Sequence, residues 1–396
     1  MRLPYLFLTI LLAVNGAVDY YIYRVLRDSL RNKIYSKIQA WSAAVLAALL
    51  IVLLVIPVRT ESNGALVVTM WLLFVYASIY IPKILFTIVS LFSQLPRLWG
   101  RKPVIWPTLA GAALAAVVFV MMWWGALVTR FSIDVSEVTI ESDKVPEAFD
   151  GLRIVQISDL HVGTYGSSTG FVEKLVDRIN SLNPDIIVFT GDIVNRNSDE
   201  VTPFIEPLSH LHAPMGVYSV LGNHDYGDYS DWNTPADKEA DHAAMIQAHR
   251  RMGWHLLNNE SVELTAAGDT IVLIGVENIG DPPFAVYGDL KKAYPTPGDD
   301  RFKILLSHNP AHWDSDIEGH NDTNIALTLS GHTHAMQMSL FGASPSALRY
   351  DHWGGLYTDD KGQALYVNIG TGTVGYPARF GGANPEITVF TLKHKH

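Results

Sequence analysis

The spacing of apolar residues divides this chain into two regions. Residues 1–129 carry four long apolar stretches, at about 4–23, 39–58, 65–86 and 104–128. Each reaches the ~20 residues that a helix needs to cross a hydrocarbon core of ~30 Å. The second and fourth hold no charged residue, and the fourth ends in Trp123-Trp124, a pair suited to the membrane–water interface. Four such stretches so close together exceed what the buried helices of a water-soluble domain supply. In the third, Pro82-Lys83 interrupts an apolar run that continues to Phe92. Lys83 is expected to snorkel to a nearby interface, leaving 84–95 as an amphipathic helix in the membrane surface. Asn15 and Asp19 are costly in lipid, so they are expected to face the helix bundle, Asp19 with a structural partner.

Beyond residue 131 the period shortens. Alternation over Phe131–Ile140 predicts a strand that begins within a few residues of the last membrane segment. Compact apolar runs predict strands at Leu152–Ser158, Asp185–Thr190 and Val217–Leu221. Helical spacing appears over Phe171–Leu182 and His242–Met252. Later strands are predicted at Thr270–Val276, Phe302–Ser307, Ile325–Ser330, Ala364–Ile369 and Ile387–Leu392. Strand and helix alternate first and strand dominates later, which predicts an α/β domain of two packed sheets flanked by helices.

Charge follows the same division. Residues 1–129 hold 11 Lys/Arg and 3 Asp/Glu, a net of +8, while 130–396 hold 18 and 36, a net of −18. All 15 histidines lie in the second region, and there is no cysteine, hence no disulfide or thiolate site. An acidic surface of this size disfavours nucleic acid as a partner. Small phosphate esters remain compatible with it, because bound metal ions reverse the local charge. The basic residues of the first region cluster in 24–37 and 93–103, whereas 59–64 holds Arg59 opposed by Glu61. The positive-inside rule then puts 24–37 and 93–103 in the cytoplasm and both chain ends outside. A cleaved signal peptide over 1–20 is the rival reading. It would leave five basic residues of 24–37 outside, so a retained first helix is expected.

Candidate chemistry gathers where predicted strands end. Asp159-x-His161, Thr190-Gly191-Asp192, Gly222-Asn223-His224-Asp225, Ser307-His308 and Gly331-His332-Thr333-His334 each follow one. Ends of core strands are where an open α/β sheet collects functional groups. Each fragment alone is weak; together, five strand ends deliver imidazole, carboxylate and one amide oxygen, with no sulfur. That donor set suits Mn, Fe, Zn, Co or Ni rather than calcium.

The five blocks, complete and in order, resemble the calcineurin-like metallophosphoesterase superfamily. Phe149-Asp150-Gly151-Leu152-Arg153, Pro377-x-Arg379 and Pro385-Glu386-Ile387 resemble its bacterial membrane-associated branch, whose members carry N-terminal transmembrane helices. The resemblance covers about 150–396. It implies a four-layer α/β/β/α metallophosphoesterase sandwich over 130–396, preceded by a four-helix membrane region over 1–129. It implies two divalent ions, manganese foremost: one held by Asp159, His161 and His334, the other by Asn223, His308 and His332, with Asp192 bridging both. Two dications roughly 3.5–4 Å apart activate a shared water and stabilise in-line attack on phosphorus. The resemblance further implies that His224 protonates the leaving oxygen or holds a phosphoryl oxygen, with Asp225 orienting it. Asn195 departs from the pattern, standing where many relatives have a carboxylate. Ala335-Met336 stands where exported relatives often have two glycines, and is expected to narrow the pocket.

The expected function is metal-dependent hydrolysis of a phosphate ester or pyrophosphate, lipid-linked or soluble, on the outer side of the cytoplasmic membrane. The lipid-linked form is suggested by apolar residues alternating at Met336, Met338 and Leu340 beside the last histidines; a core strand would give the same pattern. A catalytically silent sensor or scaffold is the alternative, but none of the seven candidate ligands is missing. A transporter gains little from so few intramembrane charges. Tyr226–Asp241 and Met336–Tyr357 are the candidate recognition loops.

Overall fold

The computed structural model describes residues 5–29, 33–55, 63–280, 285–294, 299–319 and 324–395. Its internal contacts divide the chain into two units, Met1–Val58 with Val68–Ala126, and Arg59–Val67 with Leu127–His396.

The first unit is helical: α1 (Tyr5–Arg24), α2 (Lys33–Val55), α3 (Asn63–Leu91) and α4 (Trp106–Leu127). Among the described residues, three helical stretches are long and apolar enough to cross a membrane: Lys33–Leu53, Asn63–Trp99 and Trp106–Phe131. Leu46, Leu50, Tyr76 and Tyr80 pack between α2 and α3. Two expectations fail here. The helix α3 runs through Pro82 to Leu91, because a transmembrane helix tolerates a lost backbone bond where neighbours re-satisfy the freed group. A 3₁₀ segment, Phe92–Trp99, then follows in place of a long surface helix over 84–95. Lys83 does not snorkel either: its Nζ lies 2.8 Å from Asp19 Oδ1. Gln39 donates to the same oxygen at 2.8 Å, and the Tyr80 hydroxyl to Oδ2 at 2.7 Å. Asp19 therefore has the structural partners expected of it.

The second unit is a two-sheet sandwich. The strands β1 (Asp134–Ser142), β2 (Arg153–Ile157), β3 (Ile186–Phe189), β4 (Val217–Ser219), β5 (His255–Leu256) and β14 (Glu386–His394) form one sheet, ordered β1-β14-β2-β3-β4-β5. The other is ordered β11-β12-β9-β8-β7-β6, from β6 (Glu260–Ala266), β7 (Asp269–Gly275), β8 (Lys303–Leu306), β9 (Leu327–Ser330), β11 (Gly355–Thr358) and β12 (Ala364–Val367). Short strands β10 (Met338–Ser339) and β13 (Phe380–Gly381) pair separately. Successive side chains point to opposite faces of a strand, and the packing follows that period. Ile154, Val188, Leu273, Ile304 and Leu306 meet between the sheets. Val155, Ile157, Ile187 and Phe189 face outward, against α5 (Gly170–Ser181), α6 (Ile205–Ser209) and α7 (Pro235–Arg251). On the far side Val272, Ile274 and Leu305 pack with Trp313 and Ile317. The central strands β2, β3 and β4 are parallel, as are β7, β8 and β9, so the loops leaving β2, β3, β8 and β9 gather together.

Candidate metal centre

The five sequence blocks leave the carboxyl ends of their strands and converge. Two groups of ligating atoms form, Asp159, His161, Asp192 and His334, and Asp192, His308 and His332. Asp192 belongs to both. His161 Nε2 and His334 Nε2 lie 3.0 Å apart, and His334 Nε2 is 3.2 Å from Asp159 Oδ1. His308 Nε2 is 3.2 Å from Asp192 Oδ2 and from Asn223 Oδ1, and His332 Nδ1 is 2.9 Å from the same amide oxygen.

These distances say what the groups are arranged to hold. His161 Nδ1–H donates to the Val194 carbonyl at 2.9 Å, and His308 Nδ1–H to the Thr190 carbonyl at 2.7 Å. Each ring therefore aims its other nitrogen, with its lone pair, into the cluster. Lone pairs facing one another repel unless a cation lies between them. Donors bound at ~2.1 Å to one ion stand about 3.0–3.4 Å apart in octahedral or tetrahedral geometry, matching the separations found here. The residues present therefore fit divalent cations. His332 uses Nδ1 instead, and its Nε2 meets the Tyr350 hydroxyl at 3.2 Å, the kind of outer contact that fixes a ligand ring.

The electrostatics agree. Burial pushes His161 well below the usual imidazole range, with His224 and His334 acting in the same direction, and burial with nearby His308 takes His332 to about 3. Both are neutral and free to ligate. Burial alone would raise Asp159, but His334 overrides it and holds the carboxylate ionised. Burial lowers His308, yet Asp192 outweighs it and lifts His308 to about 9. A protonated His308 would have to lose that proton before its ring could hold a metal ion.

Local backbone strain marks the same positions. Asp159, His161, Asp192, His332 and His334 have φ of 52°, 44°, 63°, 74° and 53°, a left-handed region that non-glycine residues rarely adopt. Gly331 is required by crowding: a Cβ there would collide with Ser158 Oγ and Asp159 Oδ2.

The turn carrying His224 differs from expectation. Asp225 accepts backbone N–H bonds from Asp192, Ile193, Val194 and Gly222 at 2.8–3.3 Å. It ties the Gly191 and Gly222 turns together instead of orienting the His224 ring. That ring donates from Nδ1 to the Asn195 carbonyl at 2.7 Å and stacks on Tyr229, centroids 3.9 Å apart. A backbone carbonyl does the orienting because the Asp225 carboxylate is fully engaged. Burial and the Asp192 charge push Asp225 up to about 7, against the pull of its N–H donors.

A cavity of about 300 Å³ opens on the cluster, lined by Asp192, Asn223, His224, Tyr229 and Tyr350 among others. Of the two candidate loops, Tyr229, Arg349 and Tyr350 reach it. Tyr226, stacked on Tyr287, and Trp232, bonded to the Gly227 carbonyl at 2.8 Å, serve packing. Asn278 and Asn309, the latter directly after Ser307-His308, also line the cavity, and the sequence alone singles out neither. The segment Met336–Phe341 is not a core strand. Met336, Met338, Leu340 and Phe341 are exposed, Phe341 fully, and Leu348 is 93% exposed.

The profile described as "Calcineurin-like phosphoesterase" matches residues 152–336, and one described as "Probable Calcineurin-like phosphoesterase, transmembrane domain" matches 1–130. An uncharacterized metallophosphoesterase, YkuE, of Bacillus subtilis is 35% identical over 66% of this chain and 86% of its own length. The chain belongs to the calcineurin-like phosphoesterase family. A transmembrane protein with metallophosphoesterase domain of Danio rerio is 33% identical over 65% of this chain, which spans 57% of that protein. The UDP-2,3-diacylglucosamine pyrophosphatase LpxG of Chlamydia trachomatis is 33% identical over 57% of this chain and 76% of its own length. The chain is a membrane metallophosphoesterase with a buried Asp/His cluster that fits divalent metal.

Proposed function

We propose that this phosphoesterase hydrolyses a lipid-linked phosphate ester or pyrophosphate at the outer face of the cytoplasmic membrane. Asp159, His161 and His334 would hold one ion, Asn223, His308 and His332 the other, and Asp192 both, with manganese the expected metal. When bound, the ions supply a nucleophile at neutral pH and neutralise phosphoryl charge. His224 then faces the leaving oxygen: the Asn195 carbonyl takes Nδ1–H, so Nε2 is left to deliver a proton as the phosphorus–oxygen bond breaks. Asp225 keeps Asp192 and His224 in register through the backbone of their two turns.

The observation that carries the lipid reading is the exposed apolar strip Met336, Met338, Leu340, Phe341 and Leu348 on the loops that follow His334. Exposed apolar patches mark surfaces that meet apolar partners. A relative named as a pyrophosphatase of a diacylated sugar nucleotide supports the same class. The test compares headgroup-matched substrates with and without an acyl or polyprenyl chain. The chain-bearing form should show the higher kcat/KM, because remote binding energy serves the transition state. Replacing Met338, Leu340 and Phe341 by Ser should erase that preference. Equal turnover of both forms by the intact protein would favour a soluble extracytoplasmic ester. The side is tested in this cysteine-free chain with Asn233→Cys and Lys37→Cys, both at exposed positions. An impermeant thiol reagent on intact cells should label the first and spare the second.

A further inference from the structure

The peptide joining Asn195 to Arg196 is held at both edges. Its carbonyl accepts from His224 Nδ1–H at 2.7 Å, and its N–H, that of Arg196, donates to Glu200 Oε2 at 3.2 Å. The preceding N–H, that of Asn195, donates to the same carboxylate oxygen at 2.6 Å. A peptide unit is planar, so its N–H and C=O turn together. A carboxylate fixed at one edge therefore sets the direction of the carbonyl at the other. The bond at the N–H also makes the carbonyl a stronger acceptor, because hydrogen bonds in a chain polarise one another. The Asn195 side chain is aimed elsewhere, with Nδ2 3.5 Å from Thr164 Oγ1.

Local chain geometry brings Glu200 to this place. It lies on the 3₁₀ segment Ser198–Phe204, whose start is tied down by Ser198, bonded from N–H and Oγ to Asp241 Oδ1 at 2.8 and 2.7 Å. The Glu200 residue has no exposed surface, and an unpaired charge there would be costly. Its second oxygen, Oε1, accepts from Arg196 Nε at 2.9 Å, and Arg196 Nη2 donates to Asn63 Oδ1 at 2.9 Å. The guanidinium thus anchors the carboxylate that anchors the peptide. The fit is close: a Cβ on Gly163 would collide with the Glu200 carboxylate and with Asn195 Oδ1. Among the described residues, neither Glu200 oxygen is hydrogen-bonded to a candidate metal ligand.

We propose that Glu200, anchored by Arg196, is a positioning residue for His224 and acts on it through the peptide between Asn195 and Arg196. This rests on the reading of His224 as the group that serves the leaving oxygen, and deepens it. Tyr229, stacked on the imidazole with centroids 3.9 Å apart, sets the plane of the ring. The Asn195 carbonyl sets which edge of the ring faces inward and so leaves Nε2 to the cavity. Without the Glu200 carboxylate the stacking remains, but the peptide is free to swing. The imidazole then turns over within its plane of stacking, and the wrong nitrogen faces the cavity for part of the time. Glu200 gives up no proton in this arrangement; it orients.

The experiment uses the full chain in detergent, loaded with Mn²⁺, as wild type, Glu200→Gln, Glu200→Asp, Arg196→Lys, His224→Ala and the double variant Glu200→Gln/His224→Ala. kcat/KM is measured on the p-nitrophenyl and phenyl esters of one phosphate. Glu200→Gln should lose about tenfold more on the phenyl ester, which has the poorer leaving group. Glu200→Asp, which keeps the charge, should recover part of that loss, and Arg196→Lys should shift the same way by less. Bound metal should match wild type in every variant, which also reports folding. Adding Glu200→Gln to His224→Ala should cost little more, because a residue that acts only through His224 has nothing left to position. A double variant that shows the product of the two single losses would overturn the proposal, and so would wild-type kcat/KM on both esters in Glu200→Gln. If His224→Ala loses equally on both esters, the leaving-group reading fails instead, and the double variant still decides whether Glu200 acts through His224. A readout without turnover covers a chain that cleaves neither ester. In Zn²⁺-loaded protein with ¹⁵N-labelled histidine, the His224 Nδ1–H signal, identified by its absence in His224→Ala, should exchange with water about tenfold faster in Glu200→Gln than in wild type. Arg196→Lys gives the same comparison if Glu200→Gln folds poorly. Exchange as slow as in wild type would overturn the proposal.

Discussion

A buried polar cluster in the membrane region and another in the phosphoesterase domain have polar atoms that face different things. In the membrane region, Asp19 faces donors alone. Gln39 and Lys83 meet one oxygen and Tyr80 the other, all within 2.8 Å. In the phosphoesterase domain metal-ligating atoms crowd on one another: His161 Nε2 meets His334 Nε2, and His308 Nε2 and His332 Nδ1 converge on Asn223 Oδ1. Both clusters are costly to bury. The first is complete within the protein and so holds helices together. The second becomes favourable only when positive charge enters it. Satisfaction, more than polarity or burial, separates a structural network from a ligand site.

The sharpest way to break this contrast is to remove the residue shared by both ligand groups. Asp192→Asn keeps the size of the side chain and removes its charge. Turnover of an aryl phosphate diester should fall by about 10³-fold or more, because both ions lose a ligand at once. Bound metal, measured on the purified chain, should fall with it. Activity that survives both this change and chelation would mean that the convergent acceptors serve something other than metal.

The complementary change opens the satisfied cluster. Lys83→Met leaves the Asp19 carboxylate without its cation, and breaking one partner of a buried pair costs about 3–5 kcal/mol. The thermal midpoint in detergent should drop clearly, and Asp19→Asn added to Lys83→Met should recover most of it. Turnover of a small aryl phosphate per folded molecule should stay near wild type. A loss of turnover without a loss of stability would make the membrane network functional and dissolve the distinction.

His224 sharpens the contrast inside the ligand site, where it touches the cluster without joining either group. His224→Ala should retain metal and lose about 10²-fold on esters with poor leaving groups, with much smaller losses on good ones. Loss of metal would make it a ligand. Equal losses across leaving groups would assign it to phosphoryl binding.

The sequence exposed these features unequally, for physical reasons. Ligand blocks are legible because each couples a short apolar strand to a metal-binding side chain, with a glycine in the blocks at 190–192, 222–225 and 331–334. The glycines are forced by crowding, as at Gly331. Parallel strands such as β2 and β3 are buried on both faces and read as continuous apolar runs. The strand β6, with exposed Glu260 and Ser261, lacks that signal and was missed, as were the two-residue strands β5, β10 and β13. The Lys83 partnership was invisible because 64 residues separate it from Asp19 in sequence. The Asp225 role was misplaced because its partners are backbone N–H groups, which leave no trace in residue identity. Asn278 stands in a loop with no motif, brought to the cavity by tertiary structure alone, whereas Arg349 lies in the candidate loop Met336–Tyr357.

The gentlest test concerns a histidine that meets half of the criterion. His249, on α7, is fully buried; its Nδ1–H donates to the Met245 carbonyl at 3.0 Å, and its Nε2 has no partner among the described residues. An unsatisfied ring nitrogen is therefore present, but it stands outside both ligand groups and packs against Trp254, centroids 5.8 Å apart. If convergence is what makes a ligand site, His249 is a stability element alone. Burial pushes it down to about 4 from the ordinary imidazole value. The folded chain then holds it neutral while the unfolded chain protonates it. The stability this provides is present above the unfolded pKa of about 6.5 and is lost as pH falls toward 4. Near pH 5.5 the loss is about 1 kcal/mol. His249→Phe, which fills the same space against Trp254, should flatten that part of the stability–pH curve and leave metal content and turnover alone. Because wild type and variant share every metal ligand, their difference in thermal midpoint from pH 7.5 to 4.5 isolates this one group. A difference that stays constant with pH would show that the ring is not held neutral in the fold. A fall in bound metal would show that an isolated buried nitrogen can matter to the site after all, and convergence would then be too narrow a criterion.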